Sequence, residues 1–241
     1  MKKYIILTLL LVYILGTSAC EQSALNNDTK PAEPTVPQQL PAHACDPFAE
    51  YLDDKGFCVG TSQNDLISQA EQYTYNGKAV IEYVPGVFYD GPHGGGLDMN
   101  GELFGFSNNF TASDDNTYAD YSNRFYTYVP LEGLTLPYGI SFEDTAATAL
   151  QKIGLDLKAR DLKEFPTGTM TLCSEGNSFL ELTKSARAPY VYVVKYTENY
   201  QATHQDERKT NLTRTVTLSF GAESDQLGFF EISVNEKYKL D

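Results

Sequence analysis

The 241-residue sequence predicts an α+β fold, with helices packed on one face of an antiparallel sheet. Three observations lead there. Stretches with a 3.6-residue apolar period occur in two places, and each is followed by strand-like runs. The last two of those runs alternate apolar and polar residues with period two. Gly, Asn, Asp and Pro separate the runs, as hairpin connections require. The helix-then-strands order appears at 44–130 and again at 131–241, which allows two tandem units. Order alone leaves one continuous sheet and two separate lobes equally open.

In chain order, a helical region begins at DPFAEYLDD and continues through NDLISQAEQY. Asn64 or Asp65 is a plausible N-cap there, with Leu66, Ile67 and Ala70 on one side. Strand-like runs follow at 79–84, 102–106 and 124–129. A second helix is predicted over 143–153, where Ala146, Ala149, Leu150 and Ile153 share a face, Ser141 or Asp144 can cap the start and Gly154 ends it. Further strands are expected at 179–183, 190–196, 213–220 and 229–234. In the last two, Val216, Leu218 and Phe220 point one way, as do Phe230, Ile232 and Val234, and GAESDQLG joins them as a hairpin.

The first twenty residues read as an address. Lys2 and Lys3 open the chain, residues 4–15 are almost wholly apolar, and Gly16, Thr17, Ser18 and Ala19 precede Cys20. A run of that length suits a signal-peptide core and is too short to span a bilayer. The pattern resembles the lipobox of bacterial lipoproteins. That resemblance implies that residues 1–19 are a cleaved signal peptide and that Cys20 carries membrane lipid; the alternative is an ordinary secretory signal with an incidental cysteine. In that family an Asp after the Cys favours the inner membrane. Glu21 stands there instead, which implies an outer-membrane anchor with the domain in the periplasm. Residues 20–43 then form the lipidated cysteine and a tether rich in proline (Pro31, Pro34, Pro37, Pro41), and 44–241 the globular domain. At about 3.1 Å per residue in extended form, such a tether reaches up to roughly 70 Å.

Three cysteines remain for the domain: Cys45, Cys58 and Cys173. An oxidising compartment allows a disulfide. Cys45–Cys58 is the expected pair because it closes a short loop, worth about 3 kcal/mol in the chain-entropy picture. Cys45–Cys173 and Cys58–Cys173 would instead staple the start of the domain to its later half.

Residues 128–154 read YVPLEGLTLPYGISFEDTAATALQKIG. The pattern LPxGIxFxDTxxxxLxxIG within them resembles a module of small bacterial envelope and immunity-type proteins, among them the SmpA/BamE-type outer-membrane lipoproteins and the β-lactamase-inhibitor protein fold. The resemblance implies helix pairs followed by an antiparallel sheet, doubled in the inhibitor. It implies no active-site residue.

Composition narrows the function. With 18 Lys+Arg against 32 Asp+Glu the formal net charge is −14, and no basic patch interrupts it, so a nucleic-acid partner is excluded by repulsion. Removing Lys2 and Lys3 with the signal peptide leaves 16 basic residues against the same 32 acidic ones. His93-Gly94-Gly95-Gly96 matches the oxyanion string of some esterases, but no G-x-S-x-G elbow accompanies it, and the glycines read as a mobile connection between strands. Ser113-Asp114-Asp115-Asn116 lacks the turn glycine and distal Glu of a calcium loop, and no histidine or cysteine spacing fits zinc. No catalytic residue, metal or cofactor is expected. Tyr126 and Tyr128 fall in one strand, and Tyr190, Tyr192 and Tyr196 appear on one face of another. Rigid tyrosine rings make good recognition surfaces, although the same pattern suits a half-buried sheet face. The expected activity is non-enzymatic binding of another protein, basic by charge complementarity, in an immunity or inhibitor role. The alternatives are a periplasmic hydrolase using His93 or His204 as general base, and a structural envelope-assembly lipoprotein.

Overall fold

The computed structural model describes residues 40–54, 63–91, 94–113, 118–157, 159–187, 189–203 and 209–239. The chain divides into Met1–Glu33, which lies outside the described residues, and one compact unit, Pro34–Asp241. A 3-10 turn, Ala42–Cys45, leads into α1 (Asp46–Asp54) and α2 (Gln63–Gln72). A two-residue hairpin, β1 (Thr74–Tyr75) and β2 (Lys78–Ala79), precedes the short helix α3 (Val80–Tyr83). Four strands follow: β3 (Val87–Gly91), β4 (Gly94–Asn100), β5 (Phe104–Ala112) and β6 (Tyr118–Thr127). A 3-10 turn at Pro137–Gly139 and helices α4 (Ala146–Ile153) and α5 (Ala159–Glu164) then introduce five more strands. These are β7 (Gly168–Glu175), β8 (Ser178–Lys184), β9 (Tyr190–Thr203), β10 (Lys209–Gly221) and β11 (Leu227–Lys239).

β3 to β11 form one nine-stranded sheet, ordered β3-β4-β5-β6-β11-β10-β9-β8-β7, with antiparallel pairs throughout. Each half is a meander, and the two meet along their last strands, with Phe125 of β6 opposite Ile232 of β11. The molecule is therefore mainly β, with a large antiparallel sheet and few, small helices. The α+β expectation fits it only loosely. The halves at 44–130 and 131–241 share this sheet, and they also share a core. Phe48 of α1 stacks on Tyr196 of β9 at 5.5 Å, and Tyr51 meets Phe230 of β11 edge-on at 6.1 Å. Tyr73, just after α2, stacks on Phe125 at 5.5 Å. Arg214 of β10 is buried, and its guanidinium is held by Glu198 (2.6 Å) and by Asp53 at the end of α1.

Local chemistry explains most boundaries. α4 buries Ala146, Ala149, Leu150 and Ile153. Thr145 caps it, its hydroxyl accepting from the Thr148 N–H at 3.2 Å, and Gly154 ends it at φ 102°. Asp144, an expected cap, instead accepts from the Ser141 N–H (2.7 Å) and the Lys152 ammonium (2.6 Å). The Lys184 ammonium closes α5, donating to the carbonyls of Leu162, Lys163 and Phe165.

Three expectations give way here. The run 79–84 is not a strand: Asn76 and Gly77, both at positive φ, make the tight turn of the β1–β2 hairpin, and the chain then coils into α3 with the Glu82 carboxylate accepting the Ala79 N–H. The domain begins earlier than Ala44, because Leu40 is buried and its N–H donates to the Leu172 carbonyl of β7 at 2.7 Å. The disulfide joins Cys45 to Cys173, across 128 residues and with Cα atoms 6.9 Å apart, rather than Cys45 to Cys58. The turn Ala42–Cys45 lies against β7, which brings the two sulfurs together. A sequence-local pairing rule cannot see that contact. Cys58 lies outside the described residues.

Candidate binding surface

Strand register sorts the side chains of the sheet onto two faces. One carries the core row Met99, Phe106, Phe125, Ile232, Val216 and Tyr196, against which Phe48 and Tyr73 pack. The opposite face carries the row Ser107, Arg124, Ser233, Thr215 and Thr197, and beside it Gly105, Tyr126, Glu231, Thr217 and Lys195. This second face is polar and keeps exposed side chains, among them Arg124, Asn235, Lys195 and Asn199. A depression of about 330 Å³ lies in it, lined by Ser107, Asn109, Ser122, Arg124, Glu231 and Asn235 among others.

At one end of that depression stands an aromatic cluster with Phe229 at its hub. Tyr128 is 4.9 Å from Phe229, Tyr190 is 6.1 Å and Tyr126 is 6.3 Å between ring centroids. Tyr126 lies flat because its cross-strand partner is Gly105: a Cβ there would meet the ring at 2.7 Å. The Tyr126 hydroxyl donates to the Gly101 carbonyl at 2.8 Å. The Arg124 guanidinium covers the other side of the ring, 4.8 Å from its centroid, while its Nε donates to Glu231 at 2.6 Å. Burial raises the hydroxyl pKa of Tyr126 and Tyr190 above the ordinary phenol value.

The five expected tyrosines therefore separate. Tyr126, Tyr128 and Tyr190 come together on the open face. Tyr192 and Tyr196 do not: they are 4% and 1% exposed in the core. The Tyr192 hydroxyl donates to the Leu162 carbonyl at 2.9 Å, and Tyr196 stacks under Phe48. The expectation of one shared face fails because the β9–β10 register shifts between Phe220 and Gly221, which turns Tyr190 to the other side of the sheet. Phe229, Arg124 and Glu231 were not anticipated. The alternation around Phe230 carried the Phe229 signal, since an apolar residue out of phase with a core row must lie on the other face.

The HGGG string also moves. Gly94–Gly96 are part of β4, not a connection between strands, and a Cβ on Gly94 would come within 2.3 Å of the Phe110 carbonyl oxygen. Glycine lets β4 approach β5. His93, His204 and residues 114–116 lie outside the described residues, as does Cys20.

Exposure and charge are uneven across the molecule. The large hydrophobic side chains exposed among the described residues are Tyr83, Val87, Phe88, Leu103 and Tyr128, all in or beside the first meander. Leu103 and Tyr128 are neighbours, the Tyr128 N–H donating to the Leu103 carbonyl at 2.7 Å. The same region is acidic. Between Lys78 and Arg124 lie 45 residues with seven Asp or Glu and no Lys or Arg. Residues 44–130 hold 13 acidic against three basic residues, whereas 131–241 hold 16 against 12. This asymmetry was readable in the sequence as a gap in the spacing of basic residues. No protein family matches the chain, and neither a curated protein nor a solved structure matches it.

Proposed function

We propose that this chain is a lipid-anchored envelope protein that binds a basic partner protein without catalysis, in an inhibitor or immunity role. In this reading Cys20 carries the lipid, the proline-rich stretch ahead of Leu40 is the tether, and the domain works in the periplasm beneath the outer membrane. The helices group on one side of the sheet and leave the other for recognition. The observation that carries the reading is the coincidence of exposed apolar side chains with the acid-only stretch. Tyr83, Val87, Phe88 and Leu103 lie in that stretch, and Tyr128 stands beside Leu103. Tyr128 with half-buried Phe229 supplies rigid contact area at low entropic cost, and the carboxylates of residues 79–123 steer a basic protein towards it.

The reading is tested by partner capture from envelope extracts with the protein and with a Tyr128→Asp/Phe229→Ser variant. The expected result is a basic protein retained by the parent, lost with the variant, and released at roughly 1 M salt, where the Debye length falls to about 3 Å. Capture of the same protein by both forms would sink the face as the site. The anchor has a separate readout: Cys20→Ser should move the protein out of the membrane fraction, and continued membrane association would refute lipidation.

A further inference from the structure

The two edges of the sheet are finished differently. At β7 the incoming chain covers the edge: Leu40 hydrogen-bonds to Leu172, and Cys45 is bonded to Cys173. At β3, among the described residues, no strand pairs with the outer edge. An edge strand leaves alternate N–H and C=O groups without ladder partners, and folded proteins blunt such edges with lysines, prolines, bulges or a covering segment. β3 carries none of these within its five residues, VFYDG. Its first two side chains are instead apolar and turned to solvent on opposite faces, Val87 at 64% and Phe88 at 60% exposure. Its one charge is Asp90, and Glu82, Asp98 and Glu102 lie close by in α3, in β4 and in the β4–β5 turn.

We infer that the β3 edge, unpaired among the described residues, takes an extended segment of a partner protein as a tenth strand, one that mixes Lys or Arg with apolar residues. This rests on the protein-binding reading above and adds a second contact to it. Main-chain hydrogen bonds supply affinity in strand addition, and side chains on alternate positions supply specificity. Here Val87 and Phe88 offer apolar contact on both faces, while Asp90 and Asp98 reward cations and reject acidic strands. A second copy of this chain is disfavoured by the same charges, since each carboxylate would face those of its mate. The chain's own proline-rich stretch fits badly too. Pro31, Pro34, Pro37 and Pro41 lack the N–H a ladder needs, and the chain enters the fold at Leu40 beside β7, the far edge of the sheet.

The test uses the full chain in detergent with two synthetic probes, an alternating Lys-Val peptide and an alternating Glu-Val peptide. Binding is read by fluorescence anisotropy, and amide protection by hydrogen exchange. The expected result is that the Lys-Val peptide binds, slows exchange of residues 87–91, and loses at least tenfold in affinity with F88K/D90K, while the Glu-Val peptide does not bind. Substitution of two exposed residues leaves the core untouched, and the exchange pattern of β10 and β11 confirms the fold of the variant. Lys-Val binding without protection of 87–91, or undiminished in F88K/D90K, would overturn the inference by reducing it to general attraction to an acidic surface. Concentration-dependent dimerisation lost in F88K/D90K would overturn it in favour of a second copy. If the edge fails while Tyr128→Asp/Phe229→Ser still abolishes partner capture, the protein-binding reading survives without the edge. If partner capture ignores the face variant while the peptide result holds, the face falls and the edge stands.

Discussion

The first meander, β3–β6, and the second, β7–β11, belong to one sheet and share a core, yet their surfaces are built to different rules. The second is closed. Its outer strand is stapled by a disulfide and hydrogen-bonded by the incoming chain, its acidic and basic residues nearly balance, and it contributes none of the large exposed apolar side chains identified above. The first is left open, apolar at its rim and almost devoid of cations. Because both halves obey the same packing constraints, folding alone does not require the difference. At opposite ends of the sheet, β7 is covered and β3, among the described residues, is unpaired, and this is the difference on which the proposed partner contact rests.

Breaking the closed side should cost the most. Removing the disulfide by Cys45→Ala/Cys173→Ala releases a loop spanning 128 residues. That should lower unfolding free energy by about 3–5 kcal/mol in a denaturant titration. Cys58→Ala should leave both the stability and the non-reducing Cys45–Cys173 peptide intact. In the first meander, Gly94→Ala sets a Cβ against the Phe110 carbonyl and should cost about 1–3 kcal/mol, with faster amide exchange in β4 and β5. A smaller effect belongs to the Asp144–Lys152 pair beside α4. Burial opposes the Asp144 charge, but hydrogen bonds from Lys152 and Ser141 outweigh it and hold the folded pKa below the ordinary carboxylate value. Its contribution is therefore present above about pH 4 and is lost as pH falls through the lowered folded value. Lys152→Met should remove that contribution, at most about 1 kcal/mol for so exposed a lysine, and shift acid unfolding to higher pH. Phe88→Lys should change stability least, within about 0.5 kcal/mol, because the ring is already in water. A large loss there would mean that the β3 edge is structural and would erase the contrast between the halves.

The second half was also the more legible one. Val216–Phe220 and Phe230–Val234 alternate cleanly because one face of β10 and β11 is buried, and α4 announced itself through Ala146, Ala149, Leu150 and Ile153. In the first half β4 hid behind Gly94–Gly96, whose missing side chains erase any periodicity, and Asn76-Gly77 turned an apparently strand-like run into a hairpin and a helical turn. The tyrosine face was half legible. Tyr126 lies on β6, but Tyr128 falls just past the end of that strand at Thr127. The turning of Tyr190 comes from a register shift, a property of pairing between strands that one strand's sequence does not contain. The Cys45–Cys173 contact is likewise tertiary.

Photo-crosslinking from position 128, compared with position 195 on the second half of the same open face, tests the division of labour most directly. With a photoreactive residue at each site in cells, the prediction is a basic protein crosslinked from 128, weakened by salt, and no comparable adduct from 195. Adducts from 195 with none from 128 would contradict it.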